Sequence, residues 1–331
     1  MQQFFLLHTI TFLPSKLLFL WCTYTLLVTF ISGNLRGVGS LVALAIGDAL
    51  GAPLEGSAQS EPWVTEMLPG GRHFRKRGQV TDDTLQATAV VESLVACGGF
   101  DQKDLISRFL SGYEKRPEWY GPTSSLFFDL VKRGTLPHHA AWLVHKRRHG
   151  SRSNGSVMRG FPIGIFYPAP EVYAFSLECS KVTHYDPVAG HCSAFLNTMV
   201  SDMCRGSSRA AAFRHARTLC TNPEVHTVLG TYEHHDPEPS LDSVLCSHAA
   251  LYCFMNARTF EGALLSAINL GGDADTVGAC CGALAGAYWG NEVIPDRWSS
   301  VLEGYEHLVQ VADRLWRKRK DRAGNLKAGD A

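Results

Sequence analysis

The sequence predicts an all-α protein folded as a single compact domain. Apolar residues recur at helical spacing over most of the chain, and alternating, strand-like runs are scarce. No internal repeat of fixed period divides the 331 residues. Hydrophobic content of 45% is enough for a substantial core. The clearest element is Val277–Trp289, apolar or small on every side, as in a helix buried all round. Gly278, Gly282, Gly286 and Gly290 recur every four residues and share one face. Each costs a helix about 1 kcal/mol against alanine. Four in line therefore predict a second backbone in close contact. The uncharged run, which ends at Asn291, is shorter than the ~20 residues a membrane span needs.

The remaining elements follow in order. Val38, Leu41, Val42, Ala45, Ile46 and Ala49 fall at helical spacing, so the domain is expected to start near Leu35. That helix breaks at Gly51-Ala52-Pro53 and leaves Glu55 just past its end. Glu61–Gln79 reads as loop. Leu85–Ala96 is an apolar helix with Glu92 its only charge, opened by Thr81-Asp82-Asp83-Thr84. Asp101–Tyr113 and Ser125–Arg133 read as helices on either side of the loop at Tyr120–Ser124. Ser151–Gly160 is a second loop, rich in Ser, Asn and Gly. Glu171–Thr183, ending at His184, then His191–Met203, Ser208–Cys220, Ser240–Met255 and Thr259–Asn269 complete the helical pattern. The domain is placed at residues 35–315.

The ends are different material. Residues 1–34 carry one Lys, Lys16, and no acid, and Leu17–Leu35 is uncharged. A cleaved signal is disfavoured by the weak basic region and by Pro14-Ser15-Lys16. A membrane anchor of marginal length and an unrelated appendage are the two readings kept; any membrane contact is expected only here. Residues 316–331 form a polar, basic tail. With 31 basic and 31 acidic side chains, no nucleic-acid partner is indicated. Ten scattered cysteines without a C-x-x-C pair read as reduced core residues of a cytoplasmic-type compartment. A monomer is the expected state.

The chemistry lies where hydroxyls and carboxylates open two buried helices, at Thr81-Asp82-Asp83 and at Asp273-Ala274-Asp275-Thr276. One such residue suffices for an N-cap, so paired Asp need another explanation. Oxygen-only clusters suit magnesium or, alternatively, manganese. Asp82, Asp83, Asp273, Asp275 and Glu55 would bring five negative charges into one pocket, which two divalent cations would nearly neutralise. Thr81 and Thr276 would add neutral oxygens. The expectation at risk is that the two motifs meet. His138-His139 and His234-His235 lack zinc-type partner spacing, and His191 and Cys192 read as core.

Gly47–Glu55, Thr81–Thr84, Ser153-Asn154-Gly155-Ser156-Val157-Met158-Arg159, Thr183-His184 and Gly272–Thr276 stand in an order and wording that resembles the ADP-ribosylglycohydrolase family. That family includes dinitrogenase-reductase-activating glycohydrolases, ADP-ribosylarginine and ADP-ribosylserine hydrolases, and J1 crystallins. The likeness runs from about Arg36 to Trp298. It implies an orthogonal helical bundle with a binuclear magnesium centre that hydrolyses the bond from ADP-ribose to a protein side chain or small molecule. By the same resemblance Thr81, Asp82, Asp83, Asp273, Asp275 and Thr276 match metal ligands. Glu55, with Asp82 and Asp83, matches the catalytic group. Asn154, Gly155 and Ser156 match a loop that holds the diphosphate and adenosine side, and His184 a position near the adenosine end. Gly121 and Thr123 belong to a loop that fills the place of another substrate loop, although its wording departs from the family's. The alternatives are a metal phosphohydrolase acting on a nucleotide diphosphate and a non-catalytic, crystallin-like or binding member.

Overall fold

The structure is a computed structural model that describes residues 15–320, with side chains from Ser32 onward. The described residues hold helices and no strands. In chain order the helices are α1 (Ser15–Gly51), α2 (Asp82–Cys97), α3 (Gln102–Lys115), α4 (Pro122–Lys132), α5 (Pro137–Arg147), α6 (Phe161–Phe166), α7 (Glu171–Lys181) and α8 (Pro187–Cys204). There follow α9 (Arg209–Leu219), α10 (Pro223–Gly230), α11 (Ser243–Asn256), α12 (Phe260–Ile268), α13 (Ala274–Trp289), α14 (Asp296–Ser299) and α15 (Tyr305–Lys318).

The centre is the antiparallel pair α1 and α13. A Cβ on Gly278 would lie 2.5 Å from the Gly47 carbonyl oxygen. Cβ atoms on Gly282 and Gly286 would come closer than 3.0 Å to the carbonyls of Ala43 and Gly39. The glycine face predicted from spacing is therefore a backbone-to-backbone contact. Gly290, with φ +86°, lies past the end of α13 and turns the chain out of the helix. Around this pair pack α2, α6, α8, α11, α12 and α15.

Neither proposed end of the domain falls at a structural break. Helix α1 runs through Leu35, and Gly33 and Gly37 both lie against the ring of Trp316. Trp316 is itself a core residue, because it continues the apolar face of Leu308, Val311, Ala312 and Leu315 along α15. The boundaries 34/35 and 315/316 therefore cut helices. The membrane-anchor reading of Leu17–Leu35 falls mostly outside the described side chains. The adjoining Ser32–Leu54 segment is apolar and long enough to cross a membrane, yet 94% of its most apolar window is buried within the protein.

Pro122, expected in a loop from the sequence, instead opens α4, and Pro137, Pro187 and Pro223 open α5, α8 and α10. At that position the missing N–H costs nothing and the fixed φ is already helical. Hence α4 and α8 start earlier than Ser125 and His191, and α5 and α10 were not anticipated.

Candidate active site

The two acidic motifs meet. Close packing of Gly51 on the Ala274 backbone sets the end of α1 against the start of α13. The chain after α1 then clasps the turn before α13: Gly56 N–H donates to Gly272 O at 2.7 Å and Gly272 N–H donates to Ser57 O at 2.9 Å. This places Glu55 beside Asp273. Gly272, with φ +58°, makes the sharp turn possible. From the other side, Thr81 caps α2: its Oγ1 accepts from Asp83 N–H at 3.2 Å and donates to Asp83 Oδ2 at 3.0 Å.

Asp48, in the interior of α1, joins the motifs and was not singled out from the sequence. It is fully buried and accepts from Thr81 N–H at 2.9 Å, Thr84 N–H at 3.2 Å and Thr84 Oγ1 at 2.5 Å. Its carboxylate is thereby committed to holding the Thr81–Thr84 turn in place. The only sequence signal was a lone acid inside an otherwise apolar helix.

The electrostatics express this crowding. Burial, then the charges of Asp275, Asp48, Asp82 and Asp273, push the Asp83 carboxyl well above its usual range. Asp275 is pushed well up by burial and by Asp273, Glu55 and Asp48. Asp82 rises to about 7 through burial and Asp48, while a hydrogen bond from Gln86 opposes the shift. Asp273 rises to about 6 through burial and Glu55, against a hydrogen bond from Asn154. Asp83 Oδ1 is buried without a hydrogen-bond partner. A buried carboxylate oxygen left bare among like charges is costly unless a cation meets it.

The donors fit a hard cation. Among the described residues, the thiol electrostatically linked to the cluster, Cys280, is held protonated by burial and by neighbouring Cys246, so it offers no thiolate. Among the described residues no three His, Cys, Asp or Glu side chains stand in a closed metal-ligand group. What the fold assembles is a set of carboxylates and threonine hydroxyls entering from three helices.

The substrate-side residues form a hydrogen-bonded chain attached to this cluster. Asn154 Nδ2 donates to Asp273 Oδ2, and Asn154 N–H donates to Leu241 O at 2.9 Å. Asp82 accepts from Gln86, whose Oε1 accepts from buried Arg159 at 2.8 Å. Arg159 also donates to Thr183 Oγ1 at 2.6 Å, and Thr183 Oγ1 lies 2.7 Å from His184 Nδ1. His184 Nε2 lies 3.0 Å from Ser153 Oγ, which donates to Thr123 Oγ1 at 3.2 Å. Burial and the nearby Arg159 and Arg148 push the His184 pKa well down, so the ring is neutral. Gln86, Arg159, Thr183 and Ser153 were not predicted as site residues; no short spacing connects them.

Two predicted residues stand apart. The Ser156 hydroxyl is fully buried and accepts from Ser180 Oγ at 2.8 Å, which leaves only backbone for a ligand. Gly121 precedes α4 from an exposed position. Gly155, by contrast, lies against the His184 ring, where a Cβ would come within 3.2 Å. A cavity of about 350 Å³ borders His184, Lys181, Tyr185 and His191. A second, of about 410 Å³, opens at the far end of α13 beside Arg36, Tyr288 and Trp289, and so lies away from the carboxylates.

The sequence profile described as ADP-ribosylglycohydrolase matches residues 34–325. The chain belongs to the ADP-ribosylglycohydrolase family. It is an enzyme of this hydrolase type, and its all-α fold is that of the family. The ADP-ribosyl-[dinitrogen reductase] glycohydrolase of Rhodospirillum rubrum is 30% identical over 278 residues, covering 81% of this chain and 90% of that protein. The ADP-ribosylarginine hydrolase Tri1 of Serratia proteamaculans is 32% identical over 304 residues, covering 85% of this chain and 79% of that protein. A solved structure titled ADP-ribosylglycohydrolase-related protein complex superposes with a TM-score of 0.77 at 32% identity, covering 87% of this chain and 99% of that one.

Proposed function

We propose that this ADP-ribosylglycohydrolase uses divalent cations, magnesium by the chemistry of its donors, to release ADP-ribose from a modified protein side chain. One observation carries the reading: Asp83 and Asp275 converge around an unpartnered carboxylate oxygen while Asn154 of the Ser/Gly loop is bonded to Asp273. Thr81, Asp82, Asp83, Asp273, Asp275 and Thr276 would hold the metal, and five carboxylates call for two ions. Asp48 is left out of the ligand set because its oxygens already accept from Thr81 and Thr84. Bound cations of this kind grip substrate hydroxyls and acidify water. Asn154 holds the orientation of Asp273. The neutral His184 chain presents hydroxyl groups at Ser153 and Thr123. The test is release of ADP-ribose by the whole chain from proteins modified on arginine, on serine or on other acceptors, with magnesium and with chelator. Absence of release from every acceptor, with magnesium present, would sink the proposal.

Glu55 is assigned to the leaving-group proton. It is half-buried, and its carboxylate has no hydrogen-bond partner among the described residues. Glu55→Gln keeps the shape and loses the proton function, so turnover falls by ~10²–10⁴. ADP-ribose affinity by calorimetry, with magnesium present, stays within about tenfold, or roughly 1.4 kcal/mol. Joint loss of magnesium and ADP-ribose binding would make Glu55 a ligand first.

The His184 chain gives a second expectation. Thr183→Val keeps the volume and removes the link between Arg159 and His184 Nδ1. The buried groups left unpaired cost about 1–3 kcal/mol of stability. KM for the ADP-ribosylated substrate rises about tenfold, while kcat changes by less than about threefold. An unchanged KM would show that the chain does not shape the substrate side.

A further inference from the structure

We propose that the turn at residues 70–77 is a docking arm for an acidic stretch of the polypeptide that carries the ADP-ribose, which rests on the hydrolase function proposed above. Gly70 and Arg75 exchange two backbone hydrogen bonds, each 2.8 Å, and close a small hairpin. Its base is wedged among segments that bear the site. Gly71 lies against Ala52 and Pro53, where a Cβ would be 2.8 Å from the Ala52 oxygen and the Pro53 Cα, just before Glu55. Arg75 is buried; its Nη1 donates to Val80 O at 3.2 Å, the residue before Thr81. The Arg75 guanidinium also stacks 4.6 Å over Trp119, at the entry to the Tyr120–Ser124 loop.

The tip is unlike its base. Phe74 is 90% exposed and held at φ +48°. A side-chain-bearing residue is strained in that region, and nothing among the described residues covers the ring. Trp63 and Leu68, on the approach to the hairpin, are also exposed. From Met67 to Thr81 the sequence contains no acid. Arg72, His73 and Lys76 are exposed and form no ion pair among the described residues, in a chain whose total charge is balanced. Arg72 and Lys76, unpaired cations flanking a bare aromatic ring, fit a carboxylate-rich polypeptide with an apolar side chain. Position agrees: a protein attached at the leaving group emerges past Glu55, and the hairpin stands on Pro53. A nucleic-acid strand fits less well, since one ring and a neutral whole offer neither a stacking track nor a long-range field.

The test uses the full chain and its triple variant Arg72→Glu, Phe74→Ser, Lys76→Glu. Kinetic probes are one modified amino acid presented free and within peptides flanked by glutamate, by glutamine or by lysine. Wild type favours the glutamate-flanked peptide over the free amino acid, and added salt weakens the preference. The variant loses about tenfold in kcat/KM on that peptide and changes less than about twofold on the free amino acid. An equal loss on both, or no loss on either, overturns the proposal. So does a loss confined to a modified nucleic-acid end. Fluorescence anisotropy with the unmodified glutamate-flanked peptide reads docking without turnover. Binding by wild type but not by the variant, together with inactivity on every substrate, would leave the arm standing and reject the hydrolase reading. Equal binding by both proteins rejects the arm.

Discussion

Asp275→Asn is expected to leave the fold intact and to lower turnover by about 10³ or more. Metal-borne charge stabilisation contributes several kcal/mol to a transition state, and each 1.36 kcal/mol is tenfold. The same substitution should raise stability in chelator. Without cations the wild-type cluster places Asp275 against Asp273, Glu55 and Asp48, and an uncharged isostere removes that repulsion. With magnesium the order reverses, because only wild type gains the ion. The pH dependence has a definite sign. Asp82 and Asp273 have folded-state pKa values raised to about 7 and about 6 from the ordinary 3.8. Between those limits the folded, metal-free protein keeps protons that the unfolded chain has released. The stabilising contribution of these two carboxyls in chelator is therefore fully present below about pH 4 and is lost as pH rises through 6 and 7. Thermal melts of both proteins, with chelator and with magnesium, check each statement. Wild-type turnover by Asp275→Asn at limiting magnesium would remove Asp275 from the centre.

Gly282→Ala is expected to destabilise by about 3 kcal/mol, at the upper end of what overpacking costs. In an isolated helix this substitution stabilises by about 1 kcal/mol, so the sign alone decides. The new Cβ would come closer than 3.0 Å to the Ala43 carbonyl oxygen, on backbone that no rotamer change can clear. Helices α1 and α13 must then part, and with them Asp48 and the Asp273–Thr276 turn. At 2–4 °C per kcal/mol for chains of this size, Tm falls by about 6–12 °C. A rise in Tm would mean that the helices are not in backbone contact.

These two results also mark what the residues themselves disclosed. The period of four in Gly278, Gly282 and Gly286 announced a close partner, because glycine on a helix face has few other uses. It did not name the partner, which lies on Gly39, Ala43 and Gly47 of α1. Two Asp beside a Thr, occurring twice, raised the expectation of a cation site, and the fold brings the two motifs together. The role of Asp48 was hidden, since a single acid in a helix reads as nothing until the fold shows it accepting from Thr81 and Thr84. The chain from Arg159 to Thr123 was hidden for the same reason: its members come from three separate segments and touch only when the 153–159 loop, the residues after α7 and the start of α4 pack. Pro122 reads as part of the Tyr120–Ser124 loop although it opens α4, because a proline that follows a loop also suits the first turn of a helix.

The union of α1 with α13 also fixes a timetable for the chain's birth. Helix α1 is made first, and its partner is complete only at Trp289, roughly 240 residues later. At ~5–20 residues per second of synthesis, that delay is on the order of 10–50 s. Throughout it, Ser32–Leu54, apolar enough to enter a lipid bilayer, has no glycine-lined face to receive it. The nascent protein therefore carries this apolar segment without its glycine-lined partner until α13 emerges. Holding that segment in solution falls to whatever meets the growing chain at the ribosome.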